Sequence, residues 1–235
     1  MKKTILTLFF SLFVISSAFA DIGLNVGVSA QIGEMSTSGK EVNTAMDTTE
    51  TSQTEKHLFA TAGFFVEKDL AFLPKIGESI GSRIAIGYDN IGHDIGLGTT
   101  SNARALSLGA AGAEVMPQVH ALSAKVTGFQ TYYVTVNLTD WLYVKVGDVE
   151  VDLTTKFEQN GVTSSNYGNS HTLDGSVLGF GVEKSTDNGF FARLEYNDYD
   201  IDGKTVTNSG TDSKFRTTLN SVSGDTTRIS VGKSF

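Results

Sequence analysis

The 235-residue chain has no cysteine, two prolines and a single tryptophan, and its 18 Lys and Arg are outnumbered by 26 Asp and Glu. Each shortage excludes something. Without cysteine there is no disulfide framework, zinc ribbon, thiol nucleophile or iron–sulfur cluster. Two prolines beside 25 glycines do not describe a Pro-rich linker. A net charge of −8 argues against nucleic acid as a partner, because phosphate binding needs a basic surface. After residue 20 no apolar run approaches the ~20 residues of a membrane-spanning helix. What remains is a length suited to one or two domains and an ordinary hydrophobic content of 40%.

The first twenty residues stand apart. Met1-Lys2-Lys3 is basic, Ile5 to Ile15 is nearly all apolar, and Ala18-Phe19-Ala20 is an A-x-A cleavage signal. This pattern predicts a secretory signal peptide over 1–20, cleaved before Asp21, and a mature domain over 21–235 with a net charge of −10. No cysteine follows the cleavage site, which excludes a lipoprotein.

From Asp21 onward, apolar residues alternate with small or polar ones. Ile22, Leu24, Val26, Val28, Ala30 and Ile32 share one parity, as do Leu122, Ala124, Val126, Tyr132, Val134, Val136 and Leu138. A period of two predicts strands. Eight such segments run over about 22–34, 56–68, 80–92, 120–138, 141–153, 174–185, 189–201 and 223–235. Each is long enough for a tilted membrane-spanning strand. Their connectors alternate. Those within 69–79, at Thr139-Asp140 and at Asp187-Asn188-Gly189 are short. The four others, including Ser36–Glu55, Lys156–Leu173 and Asp202–Val222, are long and rich in Ser, Thr, Asn, Asp and Gly. Long loops at one end and short turns at the other predict an all-β, eight-stranded antiparallel up-and-down transmembrane β-barrel. Loop 93–119 is read as an ordered extracellular loop carrying a short helix at Ala103–Leu108 or an extension of the strand. Leu70-Ala71-Phe72-Leu73-Pro74 is expected to rest on the membrane interface.

Apolar residues of a membrane barrel face lipid, so the opposite parity lines the lumen. The charges on that parity are sparse and mixed in sign: Glu67, Arg83, Asp89, Lys125, Lys145, Glu150, Asp152, Glu183, Arg193, Glu195 and Arg228. Eight strands leave an interior that side chains can fill. These residues are therefore expected to form a charge network inside a largely filled lumen. Trp141, Tyr143, Phe190, Phe191 and Phe235 cluster at the short-turn end, where an aromatic girdle is expected. Lys233 breaks the last strand's apolar parity and is expected to snorkel to headgroups. The parity change at Gly147-Asp148 suggests a β-bulge.

On these segments, the Ala18-Phe19-Ala20 signal and the closing Ile229-Ser230-Val231-Gly232-Lys233-Ser234-Phe235, the chain resembles the small Gram-negative outer-membrane barrels of the OmpA transmembrane-domain and opacity-protein group. The resemblance implies that Ile229, Val231 and Phe235 form the signal read by the barrel-assembly machinery. Lys233 departs from the pattern at a position that is usually apolar. Localisation in the outer membrane follows from the same resemblance. No peptidoglycan-binding domain follows Phe235, so the anchoring role of two-domain members does not carry over.

No catalytic constellation stands out. His57, His93, His120 and His171 form no HExxH or paired metal spacing. His120 and Ser123 are three apart on a strand and so face opposite ways. Ser170, His171 and Asp174 are read as chance company in a loop. The expected protein has no cofactor, is not an enzyme, lies in outer-membrane lipid as a monomer, and presents four loops to an extracellular ligand. A narrow channel for ions or very small solutes is the alternative, and a lipid-modifying enzyme is the third reading.

Overall fold

The computed structural model describes residues 22–43, 48–51, 54–73, 77–104, 118–159, 162–164, 170–207 and 215–235. The expected signal peptide lies outside these residues. The elements are β1 (Leu24–Thr37), β2 (Gly39–Asn43), β3 (Thr48–Thr51), β4 (Glu55–Asp69), the one-turn helix α1 (Glu78–Gly81), β5 (Ile84–Ile91), β6 (Ile95–Arg104), β7 (Gln118–Asn137), β8 (Leu142–Gln159), β9 (Val162–Ser164), β10 (Ser170–Ser185), β11 (Phe190–Ile201), β12 (Lys204–Thr207), β13 (Phe215–Leu219) and β14 (Val222–Ser234).

Pairing closes the sheet. β1 pairs with β4, β4 with β5, β5 and β6 with β7, then β7–β8, β8–β10, β10–β11, β11–β14 and β14 back to β1, all antiparallel. β5 and β6 are two pieces of one stave, broken at Gly92-His93-Asp94, so the barrel has eight staves. Closure removes the sheet edge that an open antiparallel sheet would expose. The first and last strands lock together near the short turns: Leu24 N–H donates to the Phe235 carbonyl at 3.1 Å and Phe235 N–H to the Leu24 carbonyl at 2.9 Å.

The stagger can be followed through one row of cross-strand partners. It runs Glu34, Asp225, Asp198, Leu178, Val146, Val134, Ile86, Lys68 and returns to β1 at Leu24, ten residues below its start. Such a shear over eight staves tilts the strands steeply against the barrel axis. The row's outward side chains are acidic at the long-loop end, apolar in the middle and basic near the short turns.

The change from apolar to acidic outer face recurs on β8, β10, β11 and β14, and the inner face runs the opposite way. Toward the short turns the outer face is apolar: Val144, Val146, Leu178, Phe180, Leu194, Ile229 and Val231 all point out. At the same height the interior holds the charges. Toward the long loops the pattern inverts. Asp148, Glu150, Asp174, Asp198, Asp200 and Asp225 are exposed, while Met35, Ile91, Phe129, Val149, Val151, Tyr199 and Ile201 form a buried apolar core inside the barrel. The barrel is thus apolar-out in one half and apolar-in in the other.

This inversion corrects the assignment of all apolar strand residues to one outward face. Val126, Val149, Val151 and Leu153 are interior. β8 pairs with β10 in unbroken register across Gly147 and Asp148, so no bulge lies there. The bulge is on β7, where the register with β8 shifts between Thr127 and Gln130 and Gly128 adopts φ 61°. The extra residue turns Phe129 and Val126 inward on either side of it.

The connectors alternate as the spacing requires. The Thr186–Phe190 turn closes with Gly189 at φ 78° and a 2.8 Å bond from Thr186 N–H to the Phe190 carbonyl. At the β7–β8 turn the Thr139 hydroxyl accepts from the N–H groups of Trp141 and Leu142 at 3.3 and 2.9 Å. The third short connector is longer, because Ile80 belongs to α1 and β5 starts only at Ile84. Phe72 and Ile80 are exposed there. The strands exceed their expected ends at the other pole. β8 reaches Gln159 and β10 begins at Ser170. Ser170, His171 and Asp174 therefore lie on a strand, not in a loop. Residues 95–104 are the strand extension β6, not a helix; 105–117 lie outside the described residues. Above the barrel, β12, β13, β2 and β3 form a second antiparallel sheet that joins the first and last long loops.

Candidate functional site: the charged interior

Tilt and parity aim one set of side chains from every stave at the axis. The structure brings seven of the expected charges together: Glu67, Asp89, Lys145, Glu183, Arg193, Glu195 and Arg228. Glu67 sits on β4 and is 1% exposed. It receives both terminal nitrogens of Arg193, from β11, at 2.6 and 2.7 Å. It also accepts from the Tyr133 hydroxyl at 2.9 Å and from Asn25 at 3.3 Å. Arg193 Nε reaches Glu183 at 2.6 Å, so this guanidinium serves two carboxylates. Its plane also lies near three rings, with centroids at 4.6 Å for Phe191 and 5.3 Å for Phe65 and Tyr143.

A second cluster lies beside it. Lys145 donates to Glu195 at 2.8 Å, and so do the Tyr143 hydroxyl and Asn197. Lys145 stands over the Tyr133 ring at 4.7 Å. Arg228 binds Asp89 and lies 3.9 Å from Glu195. Three interior pairs, Glu67–Arg193, Glu195–Lys145 and Asp89–Arg228, balance in charge. Glu183, nearer the short-turn opening, adds one acid. Desolvating such ions is costly unless each finds a partner and further hydrogen bonds, which the Tyr and Asn donors supply to Glu67 and Glu195, whereas Asp89 Oδ1 and Arg228 Nε are buried without a hydrogen bond.

Bulky side chains fit here because glycines face them. Gly27 lies directly across from Phe65, Gly87 from Tyr133, Gly181 from Tyr143 and Gly232 from Phe191. A Cβ on any of these glycines would fall 2.4 or 2.5 Å from the opposing ring. Each ring packs its far end against a glycine on the neighbouring strand, as in aromatic rescue of strand glycines. Every stave contributes one member, and each pair joins two staves linked by a long loop.

Four expected network members lie elsewhere. Arg83 is exposed beside the β7–β8 turn, 3.9 Å from Asp140, because it precedes β5. Lys125 points outward to Asp94 at 2.7 Å, on the far side of the β7 bulge. Glu150 and Asp152 face out in the inverted half, where Asp152 accepts from Thr172 at 2.9 Å. Two expected girdle residues move the other way: Tyr143 and Phe191 are buried inside, while Trp141 and Phe190 remain exposed. Lys233 donates to the Asn188 carbonyl at 3.1 Å and sits 4.6 Å over Phe190 and 5.5 Å over Phe235. Ile229 and Val231 point outward on β14. The residues that sequence reasoning missed are Asn25, Phe65, Tyr133 and Asn197. The period-two spacing of Phe65 and Glu67, and of Glu195 and Asn197, was the available signal.

Among the described residues no group of three or more His, Asp and Glu could hold a metal ion. Ser123 bonds the Lys156 carbonyl at 3.4 Å, and Ser170, His171 and Asp174 alternate along β10 with His171 and Asp174 on opposite faces.

No protein-family model matches the sequence, and no curated protein matches it. Solved structures do align with it along most of their length. The attachment invasion locus protein Ail of Yersinia pestis, in complex with the heparin analogue sucrose octasulfate, is 9% identical over 90% of this chain and 99% of that one, with a TM-score of 0.38. The outer membrane protease OmpT from Escherichia coli is 8% identical over 94% and 99%, with a TM-score of 0.45. Neisserial surface protein A is 11% identical over 91% and 97%, with a TM-score of 0.39. The strand pairing of this chain itself shows the fold: a closed eight-stranded antiparallel β-barrel.

Proposed function

We propose that the protein is an integral outer-membrane β-barrel whose plugged interior makes it a rigid mount for surface loops, not a pore. One observation carries this reading. The outer face is apolar all the way round only in the half where the interior is charged, and the charged interior is closed by ion pairs reaching across it. An apolar belt around a closed hydrogen-bonded barrel suits a bilayer, where no backbone group can be left unpaired. In water the same belt would be a large sticky surface. Tyr88, Tyr132 and Tyr196 mark its upper border, and Trp141, Phe190 and Phe235 its lower one, as expected of interfacial rings. Above the belt, the apolar core and the β12–β13–β2–β3 sheet support a stiff structure outside the lipid. Binding at the surface, with no cofactor and no chemistry in the barrel, is the role that fits.

Planar-bilayer recording tests this reading. The intact protein should insert without steady conductance. Steady open channels would overturn the plug and support passage of small ions. The barrel itself predicts heat-modifiable migration on SDS gels and β-type circular dichroism in detergent. Unchanged lipid A mass spectra on overexpression are expected, and a modified species would mark an enzyme.

A further inference from the structure

The three interior ion pairs are not equally well completed. Glu67 and Glu195 each accept from a cation and from Tyr and Asn donors of the barrel wall. Asp89 and Arg228 bind each other, but Asp89 Oδ1 and Arg228 Nε have no further partner, and neither has Thr61 Oγ1 on β4. These residues are 3%, 3% and 7% exposed. A bare polar atom inside a protein is costly, so three of them in one region call for a ligand.

Cross-strand register shows what surrounds them. On the inner faces of β4, β1 and β14, Thr61, Gln31 and Arg228 form one row. Gly63, Ser29 and Ser230 form the next row toward the short turns. All six positions carry a polar side chain or none. The next row toward the long loops is Phe59, Gly33 and Thr226, and Phe59 already packs against the apolar core. From this patch Arg228 extends over the Phe65 ring, 5.6 Å from its centroid, to Asp89 on β5, which stands beside Phe65 in the ladder. The patch therefore has a wall of mostly short polar side chains, an apolar roof and one guanidinium crossing it. Short side chains leave room that bulky ones would fill in a barrel of this size.

We infer that this patch binds internal water, as a small enclosed cluster that accepts from Arg228 Nε–H, donates to Asp89 Oδ1 and is held also by Thr61. The ligand's chemistry follows from the unpaired set. Nε–H can only donate, the carboxylate oxygen can only accept, and the hydroxyl can do both. The ligand must therefore both accept and donate. It must also be neutral, because Asp89–Arg228 and the adjacent Lys145–Glu195 already balance. A cation would face Arg228, and an anion would face Asp89 and Glu195, the latter 3.9 Å from Arg228. Water meets both conditions, and buried waters make about three hydrogen bonds to groups of this kind. The Asp89–Arg228 lock is thus completed by an exchangeable ligand, where the other two pairs are completed by side chains.

The inference rests on the closed interior proposed above, and the test separates the two. The protein is refolded in detergent with rubidium bromide and crystallised, so that anomalous scattering marks either ion in maps that show ordered water. Water without anomalous signal should lie about 2.5–3.2 Å from Arg228 Nε and from Asp89 Oδ1. None should lie on Arg193 Nε, which Glu183 occupies at 2.6 Å. The water should connect to neither opening of the barrel. Bare atoms, or protein atoms bonded to both Arg228 Nε and Asp89 Oδ1, overturn the site and leave the closed interior intact. An anomalous peak on either atom overturns water in favour of a bound ion. A continuous file of water from the patch to both openings overturns the enclosed cluster and the closed interior together.

Discussion

The two halves of this barrel solve opposite problems with one set of strands. In the half toward the short turns, Leu194 and Ile229 point out and Glu195 and Arg228 point in. In the other half, Asp198 and Asp225 point out and Tyr199 and Val222 point in. Both residue sets lie on the same two strands, a few positions apart. The backbone is indifferent to the change, since the ladder of β11 and β14 runs through it without a slip. On the proposed membrane reading, what changes is the solvent each face meets. A strand can therefore hold a membrane protein at one end and a water-soluble barrel at the other, with the boundary written only in side chains.

The largest effect that could break this comparison comes from the charged half. Arg193→Ala strands Glu67 and Glu183 without their cation, and unfolding in urea from lipid vesicles should show a loss of about 3–5 kcal/mol. The double variant E67A/R193A should recover part of that loss. Full loss in the double variant would show that packing, not charge pairing, holds the interior. Charge on the outer face should discriminate between the halves. Leu194→Arg should cost about 2–4 kcal/mol in the same assay, whereas Asp198→Arg, four residues along the same face, should cost about 0–1 kcal/mol. Equal costs would mean that the belt does not end where the acids begin. In the apolar-in half, Ile201→Val should destabilise by roughly 0.5–1.5 kcal/mol, as in a soluble core. At the rim, Lys233→Ala removes a cation near two rings and should cost about 0.5–1 kcal/mol in the same assay.

Period two made the strands legible, because alternation survives whichever face is apolar. Connector lengths gave the topology and the polarity of the barrel for the same reason. The inversion was harder to read, and β7 and β8 show why. On β8 the sequence changes parity between Val146 and Val149 while the backbone stays regular. On β7 the apolar parity is constant from Val134 up to Val126 while the backbone slips at Gly128. Sequence alone reads the first as a bulge and the second as a straight strand. Both are the same event, an apolar face moving from outside to inside. The change of parity turns Glu150 and Asp152 out of the lumen, and the slip turns out Lys125. Seven charges of the interior were legible because a charge sharing parity with glycines on a membrane strand has nowhere else to go. The rings that surround them were not, since an aromatic next to a turn reads as well for a girdle as for an interior. Register decides the matter, by placing a glycine across from each ring.

Those four glycine–ring pairs have a consequence for how the surface varies. Each joins the two staves of one long-loop hairpin, far from the loop itself. A hairpin fastened at its base does not depend on its tip for alignment. Insertions, deletions or wholesale exchange of a loop should leave the partner strands in phase, so the two middle tips can diversify one at a time, and the first and last, joined through β13 and β2, can vary together on the same foundation.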